Sequence, residues 1–335
     1  QDEKILANVD WNINDAHRAK FTYISTEGNT IREQNGNNFL QGADVAFSSS
    51  WYERSETVEA YIGHPFSNWT PNFSTEVKLA FTDQLTGQNS LNGAEFFLGS
   101  VNTPGADGIE GTGDDEVIAF GPDRFRHGNE LGQEFMNFKA KAEYIWGDHT
   151  FKAGYEREEV DVNNLFAQNS EGTYRFDSIA DLEAGVASGL LYDNAVTNNE
   201  NDLRAIWGYN YNALYVQDTW DVRPDLTVDF GLRYDFYESE GEIRPNANFL
   251  GRYGYSNTND IDGLNVLLPR LSFDWTATDD ITVRGGIGRF SGGSPGVWIS
   301  NSYSNDGVIN DDVSAFGTIN VPFAPDETFG QYIPQ

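Results

Sequence analysis

Between Leu226 and Phe236, apolar and polar residues take turns along the chain. Leu226, Val228, Phe230, Leu232, Tyr234 and Phe236 fall in one set, and Thr227, Asp229, Gly231, Arg233 and Asp235 in the other. A period of two places the sets on opposite faces of a β-strand. A second β-rich run, from Tyr209 to Arg223, precedes it. The break Arg223-Pro224-Asp225 predicts a tight hairpin, because proline presets φ and the aspartate carboxylate can bond nearby backbone. Each run has about a dozen residues, longer than the roughly 5–6 of a soluble strand and enough for the 9–11 tilted residues that cross a bilayer.

The same pattern recurs in both directions. Ile5–Ile13 and Ala16–Glu27 read as a strand pair around Asn14-Asp15, followed by the loop GNTIREQNGNN. A strand ending at Trp69 returns as Phe73–Thr82 after Thr70-Pro71-Asn72. Gln133–Trp146 alternates Met136, Phe138, Ala140, Ala142, Tyr144 and Trp146 with Asn137, Lys139, Lys141 and Glu143, then turns at Gly147-Asp148 into Phe151, Ala153 and Tyr155. Leu267–Thr278 and Ile281–Phe290 flank Asp279-Asp280. About ten strands result, and short breaks alternate with long ones. A soluble sandwich gives no reason for that asymmetry, whereas an antiparallel transmembrane β-barrel has short periplasmic turns and long extracellular loops. Five of the eight tryptophans (Trp11, Trp69, Trp146, Trp220, Trp275) precede a short turn, as an indole girdle at one membrane interface would.

Composition narrows the alternatives. Mean hydropathy is −0.53, and no apolar run has the length of a transmembrane helix. A barrel tolerates this because each strand dilutes its apolar residues with polar ones. There is no cysteine, so there are no disulfides and no thiolate sites. A net charge of −31 argues against a nucleic-acid partner, which needs clustered Lys and Arg. Gln1 opens a polar segment without a signal-peptide pattern. An open sheet would also leave hydrogen-bonding edges in lipid. The expectation is therefore a partial barrel spanning residues 1–335, part of a larger one, inserted among outer-membrane lipid and lipopolysaccharide.

Three stretches carry a family resemblance: YVQDTWDVRPDLTVDFGLRYD, LLPRLSFDWTATDDITVRGGIGRFSGG and FSNWTPNFSTEVKLAFTD resemble the TonB-dependent outer-membrane receptors. VDWNINDAHRAKFTY and GPDRFRHGNEL are similar to the Oar-like branch. The resemblance implies a barrel of about 22 strands closed by an N-terminal plug, and energy-coupled import of a scarce ligand through a TonB box. The plug and TonB box have no counterpart in these residues, so the TonB complex would be met through a plug outside them. The alternatives are a surface adhesion or anchoring barrel without transport, and a soluble all-β glycan-binding protein.

Candidate chemistry is sparse. In TPGADGIEGTGDDEV, Asp107, Glu110, Asp114, Asp115 and Glu116 supply hard oxygen donors of the kind Ca²⁺ takes, but the spacing is not that of an EF-hand. A solvated acidic loop is the simpler reading. His17, His64, His127 and His149 are scattered and read as surface residues. No nucleophile elbow or P-loop occurs, so nothing points to an enzyme. Arg233, Arg270, Arg284, Lys139 and Lys141 lie on polar strand faces. There they either guide an anionic solute or contact a plug, or they pair with acids such as Asp229, Asp235, Asp274 and Glu143. Ligand contacts are expected in the loops Asp83–Glu130 and Asn163–Gly208.

Overall fold

The computed structural model describes residues 2–34, 40, 42–91, 93, 96–293 and 296–321. In chain order the strands begin with β1 (Asp2–Asn12), β2 (His17–Arg32), β3 (Val45–Ala46), β4 (Tyr52–Thr70) and β5 (Phe73–Ser90). They continue with β6 (Leu98–Thr103), β7 (Glu116–Phe120), β8 (Gly128–Trp146), β9 (His149–Ala167) and β10 (Thr173–Phe176). The last are β11 (Val186–Ala195), β12 (Ala205–Arg223), β13 (Leu226–Glu240), β14 (Asn265–Thr278), β15 (Ile281–Gly288) and β16 (Asn310–Asn320). Three short helices, α1 (Ile179–Ala184), α2 (Ala247–Tyr253) and α3 (Gly296–Ser304), lie in the connections, and none is long and apolar enough to cross a membrane.

Ten strands form one antiparallel sheet in the order β1-β2-β4-β5-β8-β9-β12-β13-β14-β15. The strands of this sheet follow one another in chain order, joined alternately by short turns and by long connections. The sheet does not close: among the described residues β1 and β15 each pair on one side only. Gly147, at φ +60°, supplies the left-handed step that the two-residue turn between β8 and β9 needs.

The register aligns residues of like character across strands. One row runs Phe73–Tyr144–Phe151, and another Leu214–Tyr234–Leu267. Phe230 on this outer face is 46% exposed, and Leu214, Leu271 and Phe273 are exposed as well. Among the described residues no second sheet covers them, which removes the soluble-sandwich alternative. The five tryptophans that precede short turns are all exposed. Alternation is looser in β1, β2 and β4, where Leu6, Ile24 and Phe66 take the inner face with Asn8, Thr22 and His64.

Strands β4, β8, β9 and β12 have 19 residues each, about 63 Å at 3.3 Å per residue. Tilted by about 45° they rise roughly 44 Å, well beyond a hydrocarbon core of about 30 Å. Their patterning records the boundary. On β9 the outer face runs Phe151, Ala153, Tyr155 and then Arg157, Glu159, Asp161. The inner face runs Lys152, Gly154, Glu156, Glu158 and then Val160, Val162. Val160 is only 3% exposed. The polar and apolar sides exchange between Tyr155 and Val160, and β8 does the same opposite, with Met136 giving way to Glu134 outside and Asn137 to Phe135 inside.

The connections at that end fold together. They contribute β16-β11-β10-β6-β7-β3, a six-stranded sheet of mixed direction with β10 parallel to β6 and β3 parallel to β7. Its core holds Phe97, Val101, Tyr174, Phe176, Leu190 and Tyr192, all buried. The weak alternation of these connections predicts unstructured loops, and the Gly/Ser/Asn-rich residues after β15 predict a tail; a folded sheet stands in the first place and α3 and β16 in the second.

Candidate functional site

The inner face of the long sheet carries a connected set of charges. The Glu76 carboxylate accepts from Lys141 at 2.6 Å and lies 2.7 Å from His64 Nε2. Glu156 binds Lys139 at 3.5 Å and Arg233 at 2.9 Å, and Arg233 reaches Asp235 at 2.7 Å and the Tyr211 hydroxyl at 2.9 Å. Gly154 leaves room for the Tyr215 ring, which an added Cβ would strike. The expected pairings hold for Arg233 with Asp235, and for Arg284 with Asp274. Glu143 takes Lys152 at 3.6 Å. Asp229 accepts the Thr219 hydroxyl at 2.5 Å, and the Arg270 guanidinium lies over the Phe290 ring at 4.7 Å.

Above the point where the faces exchange, the inner wall is covered by chain. Tyr303 of α3 stacks on Trp207 of β12 with centroids 5.6 Å apart, and Ser300 accepts from Asn164 of β9 at 3.0 Å. Val160, Val162, Ala205 and Ile243 complete this contact. On the far side of the helix Trp298 is 74% exposed. The apolar inner residues above Glu158 thus have a partner, which alternation alone does not reveal.

The stretch GPDRFRHGNEL forms a buried polar knot where β8 meets the loop sheet. Asp123 accepts from Arg126 at 3.0 Å and from the Phe125 amide at 3.1 Å. The Arg126 guanidinium lies 3.8 Å above the Tyr52 ring, and Arg124 donates to Gln168 at 3.4 Å. Burial pushes the Asp123 carboxyl up, against the pull of the two arginines. His127 is 2% exposed, which corrects its reading as a surface residue. Its Nδ1 accepts the Glu171 amide proton at 3.2 Å, so the neutral ring carries hydrogen on Nε2. Burial lowers the imidazole to about 3, with Arg124 adding to the effect and the Pro122 carbonyl opposing it. His17 packs edge-on against Trp69 at 4.9 Å, and His149 lies 2.7 Å from Asp218.

The acidic loop between β6 and β7 brings Asp107, Asp114 and Asp115 together through internal hydrogen bonds. Thr112 donates to Asp114 at 2.6 Å, the Ile109 amide to Asp107 at 2.8 Å, and the Gly111 amide to Asp115 at 2.7 Å. Thr112 and the Asp107 amide hold the Asp114 carboxyl below its usual range. Glu116 opens β7 instead. Among the described residues no three His, Asp or Glu side chains stand as a metal-holding group.

Comparison with known proteins places this geometry. No curated protein matches the sequence significantly. The fold is similar to that of the outer membrane transporter YddB from Escherichia coli, with a TM-score of 0.56 at 11% identity over 93% of this chain and 34% of that one. It is also similar to the ferric-catecholate import receptor Fiu from E. coli K12, with a TM-score of 0.50 at 12% identity over 84% of this chain and 42% of that one. The chain therefore spans less than half the length of these neighbours, and at such identity the likeness concerns the fold. Residues 1–334 match the family described as outer membrane beta barrel domain. With its lipid-facing sheet and paired inner charges, the chain belongs to the outer membrane beta barrel domain family and resides in the outer membrane.

Proposed function

We propose that this chain forms part of the wall of a TonB-dependent receptor of the Oar-like branch, through which a ligand crosses the outer membrane. The observation that carries the reading is the inner face. Its charges are held in place by hydrogen bonds and open toward an interior, instead of being replaced by apolar filling. The receptor-like stretches around Trp220 and Trp275 support it, as does the fold shared with YddB and Fiu, an outer membrane transporter and an import receptor by their descriptions. The short turns then face the periplasm, and the loop sheet with α3 forms the outer mouth where the ligand is captured. Energy comes from the TonB complex acting on a plug. Lipid and lipopolysaccharide contact the outer face. The acidic loop at Asp107–Asp115 is read as a solvated turn, and calorimetric heat on adding Ca²⁺ would reassign it.

The test is depletion of solutes from growth medium, followed by mass spectrometry, in cells with and without the complete gene and with and without a protonophore. Gene-dependent depletion that the protonophore abolishes is expected. Gene-dependent depletion insensitive to it counts against energised transport. No depletion at all, together with gene-dependent attachment to surfaces, favours the adhesion barrel, whose basis is the large folded acidic loop region.

A further inference from the structure

On the inner face of β2, β4, β5 and β8, basic side chains form a row across four strands. Lys20 stands opposite His64, and Lys78 opposite Lys139. The flanking pairs Gly63–Leu79 and Phe66–Glu76 bring His64 beside Lys78. One step toward the turns, Arg18 stands opposite Phe66 with its guanidinium 4.5 Å above that ring, and Lys141 stands opposite Glu76.

Acids meet this wall at a few defined points, one of them, Glu76, within it on β5. Asp10 lies opposite Lys20 on β1, Glu156 meets Lys139 at 3.5 Å, Glu143 is taken by Lys152, and Glu76 is shared by His64 and Lys141. Among the described residues no carboxylate is within 4.0 Å of Arg18, Lys20 or Lys78. Like charges directly opposite each other destabilise a sheet. A chain with 52 acidic residues against 21 basic ones has carboxylates to spare, yet keeps Lys78 facing Lys139. At the turn end of the same wall a cavity of about 370 Å³ is lined by Arg18, Lys141, Asn12, Asn14, Asn68 and Ser74, together with the carboxylates of Asp15 and Glu76. That volume lies in the range of small-molecule sites, and its basic, amide and hydroxyl side chains can donate hydrogen bonds.

We propose that this wall is a station for a small solute bearing carboxylate or phosphate groups. Arg18, which no carboxylate among the described residues holds, receives the anion at the cavity, while Lys20, Lys78 and Lys139 draw it down the wall; Lys141 stays paired with Glu76. The proposal rests on the conduit reading above and gives the solute its charge class. The neutral asparagines and Ser74 accept as well as donate, so they suit a solute that also carries hydroxyls.

The experiment titrates the complete gene product, purified in neutral detergent, with citrate and separately with inorganic phosphate. Ionic strength is held near 10 mM, where the Debye length is about 30 Å. Saturable binding of one ion is expected, and which ion binds separates carboxylate from phosphate recognition. In the double variant Lys78→Gln/Lys139→Gln, affinity should fall at least tenfold while the melting temperature holds or rises, because a repulsive contact has been removed. Arg252→Gln on α2 should bind as the unmodified protein does. Equal affinity in the double variant, or binding of neither ion, overturns the station. Binding of an oligoglutamate peptide but neither ion also overturns it and assigns the wall to an acidic polypeptide. The conduit reading fails separately: absent energised depletion with charge-dependent citrate binding intact leaves the station standing. Energised depletion with charge-independent binding does the reverse.

Discussion

Acidification should open the loop sheet without unfolding the strands that cross the membrane, and His127 sets the size of the effect. Its imidazole is held at about 3 against an ordinary 6.5, because burial disfavours the charged ring. Since the folded value is depressed, the open state binds the extra proton. Stability is complete above pH 6.5 and is lost as pH falls from there toward 3. Each pH unit is worth about 1.36 kcal/mol, so pH 4.5 costs about 2.7 kcal/mol, an opening equilibrium about 100-fold larger, and the limit near pH 3 is about 5 kcal/mol. Asp123, whose carboxyl is pushed up by burial, gains a proton more readily in the fold and opposes the trend, but in the carboxylate range at the acid end of this window. The chain has no cysteine, so Ala187→Cys introduces a single thiol at a fully buried site of the loop sheet. Its rate of maleimide labelling, divided by that of Ile109→Cys in the exposed loop, reports opening at each pH. The ratio should rise roughly 100-fold from pH 7 to 4.5. In a His127→Gln background, which keeps a polar group without the titration, it should stay nearly flat. An equal rise in that background would refute the argument and move the acid response to the carboxyls.

Three further outcomes follow from packing and charge. Leu232→Arg puts a charge on the lipid-facing row and should lower stability in vesicles by about 2–4 kcal/mol in urea titrations, whereas Gln217→Arg on the inner face should change it little. Arg233→Met leaves the 1%-exposed Asp235 without its cation and Glu156 with Lys139 alone, and should cost about 3–5 kcal/mol by the same titration; adding Asp235→Asn should recover part of the loss. Phe97→Ala empties the centre of the loop sheet and should cost that sheet about 3–5 kcal/mol, seen as protease cleavage within residues 97–120 while the fragment carrying β8 to β15 stays protected.

What could be read from the chain ahead of its structure divides along the membrane boundary. From Met136 to Trp146 and from Leu226 to Phe236 one face meets hydrocarbon and the other an interior, so a period of two is written without interruption. The short turns and their tryptophans follow from the same division of solvents. Past Tyr155 the pattern changes phase, which is why β9 runs to Ala167 and β5 to Ser90, beyond where alternation fades. The second sheet left still less trace. Phe97-Leu98 and Leu190-Leu191-Tyr192 are short apolar runs covered on both sides, and their partners lie far along the chain, Thr173 beside Leu98 and Leu190 beside Ala315. Such pairing has no local signature. Of the candidate site, the bases Lys139, Lys141 and Arg233 were visible because they interrupt apolar strands. Lys20, Lys78 and Arg18 were not, because only cross-strand register shows that they share a wall.

The exchange of faces on β8 and β9 also fixes how deeply the molecule floats. A shift of two residues along β9, roughly 7 Å, would carry Arg157 into the acyl chains, and a shift the other way would bring Phe151 to water. Because both faces switch at one level, the protein cannot bob to suit a thinner or thicker bilayer. It must instead impose its own thickness on the lipids around it.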